Sequence, residues 1–75
     1  MEAREERLIQ EHVAHDEELR AAYDEHLELK RRLEALRKKL YLTREEEMEE
    51  KRLQKLKLAS KDRIMQILAR YRQSA

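Results

Sequence analysis

The sequence predicts an all-α fold, in which a short N-terminal helix precedes an antiparallel, coiled-coil-like helical hairpin that assembles into a helical bundle as an oligomer. Three observations lead to this prediction. The 75 residues include no Gly, Pro, Cys, Trp or Phe, so the residues best suited to tight turns are absent. Charged side chains make up 47% of the chain, as in long helices and coiled coils. Apolar residues recur at intervals of three and four in two long stretches, which is the spacing of packed helices.

The first predicted element is a short amphipathic helix over residues 3–13. Its large apolar residues are Leu8, Ile9 and Val13. Asp16 follows as a candidate N-cap, because its carboxylate can accept a hydrogen bond from an exposed amide of the next helix. We therefore expect a second helix to begin at residue 17. One uninterrupted helix over residues 3–40 stays open as an alternative, since a single aspartate does not force a break.

The second predicted helix covers residues 17–40 and carries the most regular heptad spacing in the chain. A narrow apolar row of this kind can be buried only against another helix. We call this row, together with its counterpart on the third helix, the hairpin seam. Its residues on the second helix are Leu19, Ala22, Tyr23, His26, Leu29, Leu33, Leu36 and Leu40.

A tight connection over residues 41–43 is predicted to lead into a third helix over residues 44–72. Thr43 and Glu46 have the spacing of a capping box, in which the two side chains satisfy each other's exposed backbone amides. The seam residues of the third helix are Leu53, Leu56, Ser60, Ile64, Ile67 and Tyr71. Because short connections join antiparallel neighbours, the second and third helices should form an αα-hairpin within one small domain, residues 1–75.

The charged residues are arranged in blocks that favour this antiparallel pairing. Residues 1–28 hold ten acidic and three basic side chains, whereas residues 29–40 hold one acidic and six basic ones. Residues 41–50 hold five acidic and one basic, and residues 51–75 hold one acidic and eight basic. An antiparallel hairpin brings opposite charges together, but an in-register parallel dimer of either helix would align like charges.

Apolar residues outside the seam indicate a second contact. Leu58 and Met65 lie roughly 120–140° from the seam of the last helix at about 100° per residue, with Leu68 at its margin. We expect a second copy of the chain, forming a dimer, to cover them. The alternative is that the short first helix folds back over them. The residues predicted to contact an oligomer or another protein partner are Leu58, Asp62, Met65 and Leu68.

Two runs of the sequence resemble the YdcH-like family, small bacterial helical-hairpin proteins that form a domain of unknown function. One run is Leu19-x-x-Ala22-Tyr23-x-x-His26-x-x-Leu29-x-x-x-Leu33. The other, Leu53-x-x-x-Lys57-Leu58-x-x-Lys61-Asp62-x-Ile64, is similar to the family's basic-Leu-x-Leu-Lys-Asp-x-Ile segment. The chain departs from the family pattern at three positions. Leu19 stands where the family favours Phe, Lys30 stands where it often has Asp, and Ser60 stands where it usually has Leu.

The resemblance covers roughly residues 13–72. It implies a bacterial cytoplasmic hairpin that self-associates, and it implies no known activity. It also draws attention to Lys61 and Asp62. The simple interpretation is an ordinary surface ion pair, and the sharper one is that Asp62 helps to dock the first helix or a second subunit.

No stretch of the chain has the spacing of a catalytic, cofactor or metal site, so we expect no enzyme and no cofactor. His12 and His15 share a helical face but lack a third ligand at a fixed spacing, which favours exposed or capping histidines. His26 interrupts the seam. In the predicted antiparallel hairpin, facing residues have numbers that sum to about 86, which places His26 near Ser60. We therefore favour a polar layer of these two residues, with Tyr23 as a third candidate member, over a catalytic dyad.

The sequence therefore predicts a small structural or protein-interaction module that self-associates through helix packing. A nucleic-acid-associated regulatory protein is the alternative, suggested by the basic runs. Those runs alternate with acidic blocks, and the chain offers no aromatic platform for stacking bases, so direct nucleic-acid binding is disfavoured. The chain has neither a signal-peptide pattern nor an apolar stretch of 18 residues, and we expect a cytoplasmic protein without membrane attachment.

Overall fold

Three helices form the protein in a computed structural model that describes residues 2–73. They are α1 (Ala3–His12), α2 (Glu17–Arg37) and α3 (Arg44–Gln73). Within residues 2–73 there is no strand, so the predicted all-α class is confirmed. The molecule is elongated, measuring 48 × 20 × 16 Å.

α2 and α3 pack against each other as an antiparallel hairpin. Their side chains pair in reverse order along the chain, since Glu18 contacts Arg70, Glu25 contacts Arg63 and Arg37 contacts Glu50. Each of these pairs joins the acidic part of one helix to the basic part of the other. We call the end where α2 begins and α3 finishes the open end, and the end near residues 38–43 the turn end.

α1 and α2 are separate helices, with a break at residues 13–16. Asp16 adopts an extended backbone conformation, and its carboxylate Oδ1 accepts a hydrogen bond of 3.0 Å from the amide of Leu19. This side chain satisfies one of the amides that a helix leaves unpaired at its start. The break allows α1 to turn back onto the hairpin.

α2 ends at Arg37, one helical turn earlier than predicted, so the connection covers residues 38–43 rather than 41–43. The backbone has no residue with positive φ within residues 2–73, so the chain cannot reverse through a left-handed glycine-type turn. A longer connection is needed instead. As a result Leu40, which the heptad spacing placed in the seam, is 91% exposed.

α3 begins with the capping box predicted from Thr43 and Glu46. The amide of Thr43 donates to the Glu46 carboxylate over 3.0 Å, and the amide of Glu46 donates to the Thr43 hydroxyl over 3.1 Å. The Glu46 carboxylate also accepts a hydrogen bond from Lys39. Together these contacts lower the pKa of the Glu46 carboxyl to about 2, with the hydrogen bond from Lys39 as the largest cause and the one from the Thr43 amide as the next.

Replacing Thr43 with alanine is expected to lower the free energy of unfolding by about 1 kcal/mol, because one amide at the start of α3 loses its partner. Thermal melts of the two proteins measure the change. A matched control is Ala59→Ser, which adds a hydroxyl at an exposed position within α3 instead of removing one from the cap. An unchanged melting temperature for Thr43→Ala would show that the cap does not stabilise the hairpin.

The buried side chains form two clusters that differ in size. The open-end core consists of Ile9, Leu19, Ala22, Ile64, Ile67 and Leu68. The turn-end core consists of Leu29, Leu33 and Leu53, with Leu36 packed against it. The open-end core combines residues of all three helices, whereas the turn-end core joins only α2 and α3. The hairpin is therefore well covered at one end and thinly covered at the other.

α1 folds back onto the hairpin, which is the alternative that the sequence left open. Ile9 is fully buried against the open-end core, where Leu68 is also fully buried, and Leu8, Val13 and Met65 pack at its edge. Leu68 therefore has no exposed surface to offer a second copy. Of the residues predicted to form the oligomer contact, Leu68 is fully buried in a core that includes Ile9 of α1, and Met65 is partly buried against that core.

Candidate functional site

The polar pair inside the seam is formed by His26 and Ser60. Both side chains are buried, and His26 Nδ1 lies 2.9 Å from Ser60 Oγ. The Ser60 hydroxyl donates to the backbone carbonyl of Lys57 over 2.8 Å. Its oxygen can therefore accept a hydrogen bond from His26 in the neutral tautomer that carries its proton on Nδ1. Tyr23, the third candidate for this layer, packs instead at the edge of the open-end core. The pair lies in the seam between the open-end core and the turn-end core.

Burial lowers the pKa of His26 below its usual value of 6.5, since the charged imidazole would lose hydration in the seam. The positive charges of Lys57 and Lys30 act in the same direction, while hydrogen bonding to the Lys57 carbonyl opposes them. The folded chain therefore favours the neutral imidazole. Protonation of His26 works against the pairing of α2 with α3.

We expect the stability of the protein to fall on acidification below about pH 6.5. The folded pKa of His26 is lower than the unfolded one, so its contribution is complete above the unfolded pKa and is lost as the pH falls through the folded pKa. Thermal melts between about pH 8 and pH 5 measure this loss. In His26→Leu the Ser60 hydroxyl keeps its Lys57 acceptor, and the decline of stability with falling pH should become shallower. An equally steep decline would show that other titrating groups cause the loss of stability.

A second polar cluster lies at the open end, where Tyr71 of α3 meets the start of α2. The Tyr71 hydroxyl donates to Asp16, and the Tyr71 ring stacks on His12 with centroids 3.6 Å apart. His12 Nδ1 in turn lies 3.2 Å from His15 Nε2. The hydroxyl of Tyr71, followed by the amide of Leu19, lowers the pKa of Asp16. This cluster fastens the α1–α2 break to the end of α3.

The contact between Asp16 and Tyr71 was not anticipated from the sequence, although a signal for it exists. Their numbers sum to 87, close to the value that pairs His26 with Ser60 across the hairpin.

Within residues 2–73, no group of three or more His, Cys, Asp or Glu is arranged to hold a metal ion. None of the helices in that range is both long enough and apolar enough to cross a membrane.

Three of the exposed large apolar residues lie at the turn end, whereas the others, including Leu27 at 40% exposed, lie near the middle of the hairpin. Leu40 and Tyr41 are almost fully exposed in the connection, and Met48 is 65% exposed in the second turn of α3. Leu58, predicted to lie in an oligomer contact, is 52% exposed, and the neighbouring Asp62 is also exposed. The seam residue Leu56 is 41% exposed. The chain thus leaves apolar surface where α1 does not reach.

Two surface grooves lie in the same half of the molecule. The larger, about 520 Å³, follows the outer face of α3 and is lined by Met48, Lys51, Arg52, Lys55 and Leu56. The smaller, about 330 Å³, lies between α2 and α3 and is lined by Arg32, Ala35, Leu36, Lys39, Glu49 and Leu53. We call the smaller one the interhelical groove. Its floor includes Leu53 of the turn-end core, so it gives direct access to the part of the seam that has the fewest neighbours.

Comparisons of the chain with protein-family models, with curated proteins and with solved structures find no match.

Proposed function

We propose that this chain is a small structural or protein-interaction module that self-associates through helix packing. The observation that carries the proposal is the uneven covering of the hairpin. Six buried residues from three helices form the open-end core, whereas three buried residues from two helices form the turn-end core. Leu40, Tyr41 and Met48 are exposed at that thinly covered end. Docking of another helical surface would remove them from water, which is the main favourable term in association.

Sedimentation equilibrium of the full chain over a wide range of concentration tests this proposal. We expect the average mass to rise above that of one copy as the concentration increases, because association of this kind follows mass action. The dimer is the simplest assembly and the one we favour. A mass of one copy at every concentration would contradict self-association.

The competing proposal is a nucleic-acid-associated regulatory protein, and one observation favours it. Four lysines of α3 form no ion pair within residues 2–73, although four arginines of the same helix do. These lysines are Lys51, Lys55, Lys57 and Lys61. A gel-shift assay with duplex and single-stranded probes tests this alternative, since phosphate binding must weaken steeply as salt is added. Absence of a salt-sensitive shift would exclude it.

Membership of the YdcH-like family and a cytoplasmic location are part of the same proposal. The hairpin arrangement of α2 and α3 and the two sequence runs support the family membership, and the cytoplasmic location is what that resemblance implies. Lys61 and Asp62 are both exposed on α3, where a partner could reach them. Pull-down of the full chain from its source cell, compared with an Asp62→Asn variant, would show whether this position contributes to a protein contact.

A further inference from the structure

We propose that the interhelical groove is the surface through which two copies of this chain associate, with α2 of each copy lying against α3 of the other. The inference rests on the proposed self-association and goes further by naming the surface and the arrangement. The two copies would be related by a two-fold axis along the length of the hairpin. Four helices would then surround the turn-end core instead of two.

The groove has the shape and the apolar floor that helix packing requires. Leu53 is buried at its base, Leu36 is half-buried beside it, and Ala35 is exposed on the α2 side of the groove. A small side chain at this position permits close approach of another helix. A second copy would extend the turn-end core without displacing any residue that is already packed.

α1 leaves this side of the hairpin uncovered. At about 100° per residue, Leu68 lies about 40° to one side of Ile64 around α3, whereas Leu56 and Glu49 lie about 80° and 60° to the other side. Leu68 shares the open-end core with Ile9 of α1, and Glu49 lines the interhelical groove. α1 and the groove are thus on opposite faces, and both can be occupied in one assembly.

The charges of the groove select a second copy over other partners. The rim on the α2 side, which we call the α2 rim, carries Arg32 of α2 and Lys39 of the connection, while the α3 rim carries Glu49. A two-fold axis along the hairpin places the basic α2 rim of each copy against the acidic α3 rim of the other, so the groove is complementary to itself. A uniformly acidic or uniformly basic partner would instead meet one rim that carries its own sign of charge. Within the chain Arg32 pairs with Glu28 and Glu49 pairs with Arg52 at exposed positions, and pairs of this kind are weak enough to exchange. Lys39 already pairs with Glu46 at the start of α3, so Arg32 and Glu49 carry the complementarity between copies.

The first test places a bulky charge in the groove. Ala35→Arg, at an exposed helical position, should leave the circular dichroism spectrum unchanged and weaken self-association at least about tenfold in sedimentation equilibrium. The control is Leu58→Glu, which introduces a charge on the outer face of α3, away from the groove. This variant should associate like the unmodified chain.

The second test exchanges the charges of the two rims. Glu49→Lys and Arg32→Glu should each weaken self-association, because like charges then face each other twice. Mixing the two variants in equal amounts should restore a dimer that contains one copy of each, since every facing pair is then opposite in charge. A variant that had lost its fold would not recover on mixing, so this result separates an interface effect from unfolding.

The outcomes distinguish the inference from the proposed function. If the unmodified chain associates but Ala35→Arg does so equally well, or if mixing the charge variants restores nothing, the groove is not the interface although self-association stands. If Leu58→Glu abolishes association, the contact lies on the outer face of α3 and the inference is wrong. A single copy at every concentration of the unmodified chain would overturn both.

Discussion

Replacing Ile9 with alanine is expected to lower the free energy of unfolding by about 2–5 kcal/mol. Ile9 is the fully buried residue of α1, and it packs in the open-end core with Leu19, Ile64 and Leu68. Truncation leaves a cavity and removes the anchor of a ten-residue helix that would not persist by itself in water. Undocking of α1 would then expose the neighbouring core residues as well. A loss of this size is a large share of the stability of a small domain.

Urea denaturation followed by circular dichroism measures the effect of Ile9→Ala. The control is Gln10→Ala, at the adjacent exposed position of α1, which should change the free energy of unfolding by less than about 0.5 kcal/mol. If Ile9→Ala and Gln10→Ala behaved alike, α1 would not contribute to the core. The prediction that α1 is part of the folded unit would then be wrong.

Local signals were sufficient to predict the helices and most of their ends. The N-cap at Asp16 and the capping box at Thr43 depend on residues within one turn of each other, so the sequence contains all that is needed to recognise them. The seam could be predicted because heptad spacing places its residues on one face of each helix. The pairing of His26 with Ser60 followed from aligning the two seams around a single turn.

The position of α1 and the early end of α2 could not be predicted in this way. The sequence favoured a second copy over a fold-back, because three apolar residues on a short helix bury little area. The choice depends on where Leu68 and Met65 lie relative to the α1–α2 break. The end of α2 depends on how many residues the chain needs to reverse direction. That requirement is geometric and leaves no mark on the heptad spacing. The spacing continues through Leu40, although the helix ends at Arg37.

The interhelical groove also required the structure. Its rims combine residues of α2 and α3 that are ten or more positions apart, and neither helix shows the arrangement alone. The sequence indicated instead an outer contact through Leu58 and Met65. Met65 packs at the edge of the open-end core, whereas Leu58 stays 52% exposed.

Seam residues with the same heptad character are expected to differ widely in their contribution to stability, and Ile64 and Leu56 are the clearest pair. Ile64 is fully buried in the open-end core, whereas Leu56 is 41% exposed beyond it. Ile64→Ala should lower the free energy of unfolding by about 2–5 kcal/mol, because it removes buried atoms and leaves a cavity. Leu56→Ala should cost less than about 1 kcal/mol, since much of its side chain is already in water.

Both variants are measured by urea denaturation at a concentration where sedimentation shows a single copy, so that association does not contribute. Equal losses would mean that the seam is equally packed along its length and that the open-end core has no special role. A large loss for Ile64→Ala alone would show that the three-helix end carries the stability of the monomer. The turn end would then be free to exchange its exposed apolar surface for contact with a second copy.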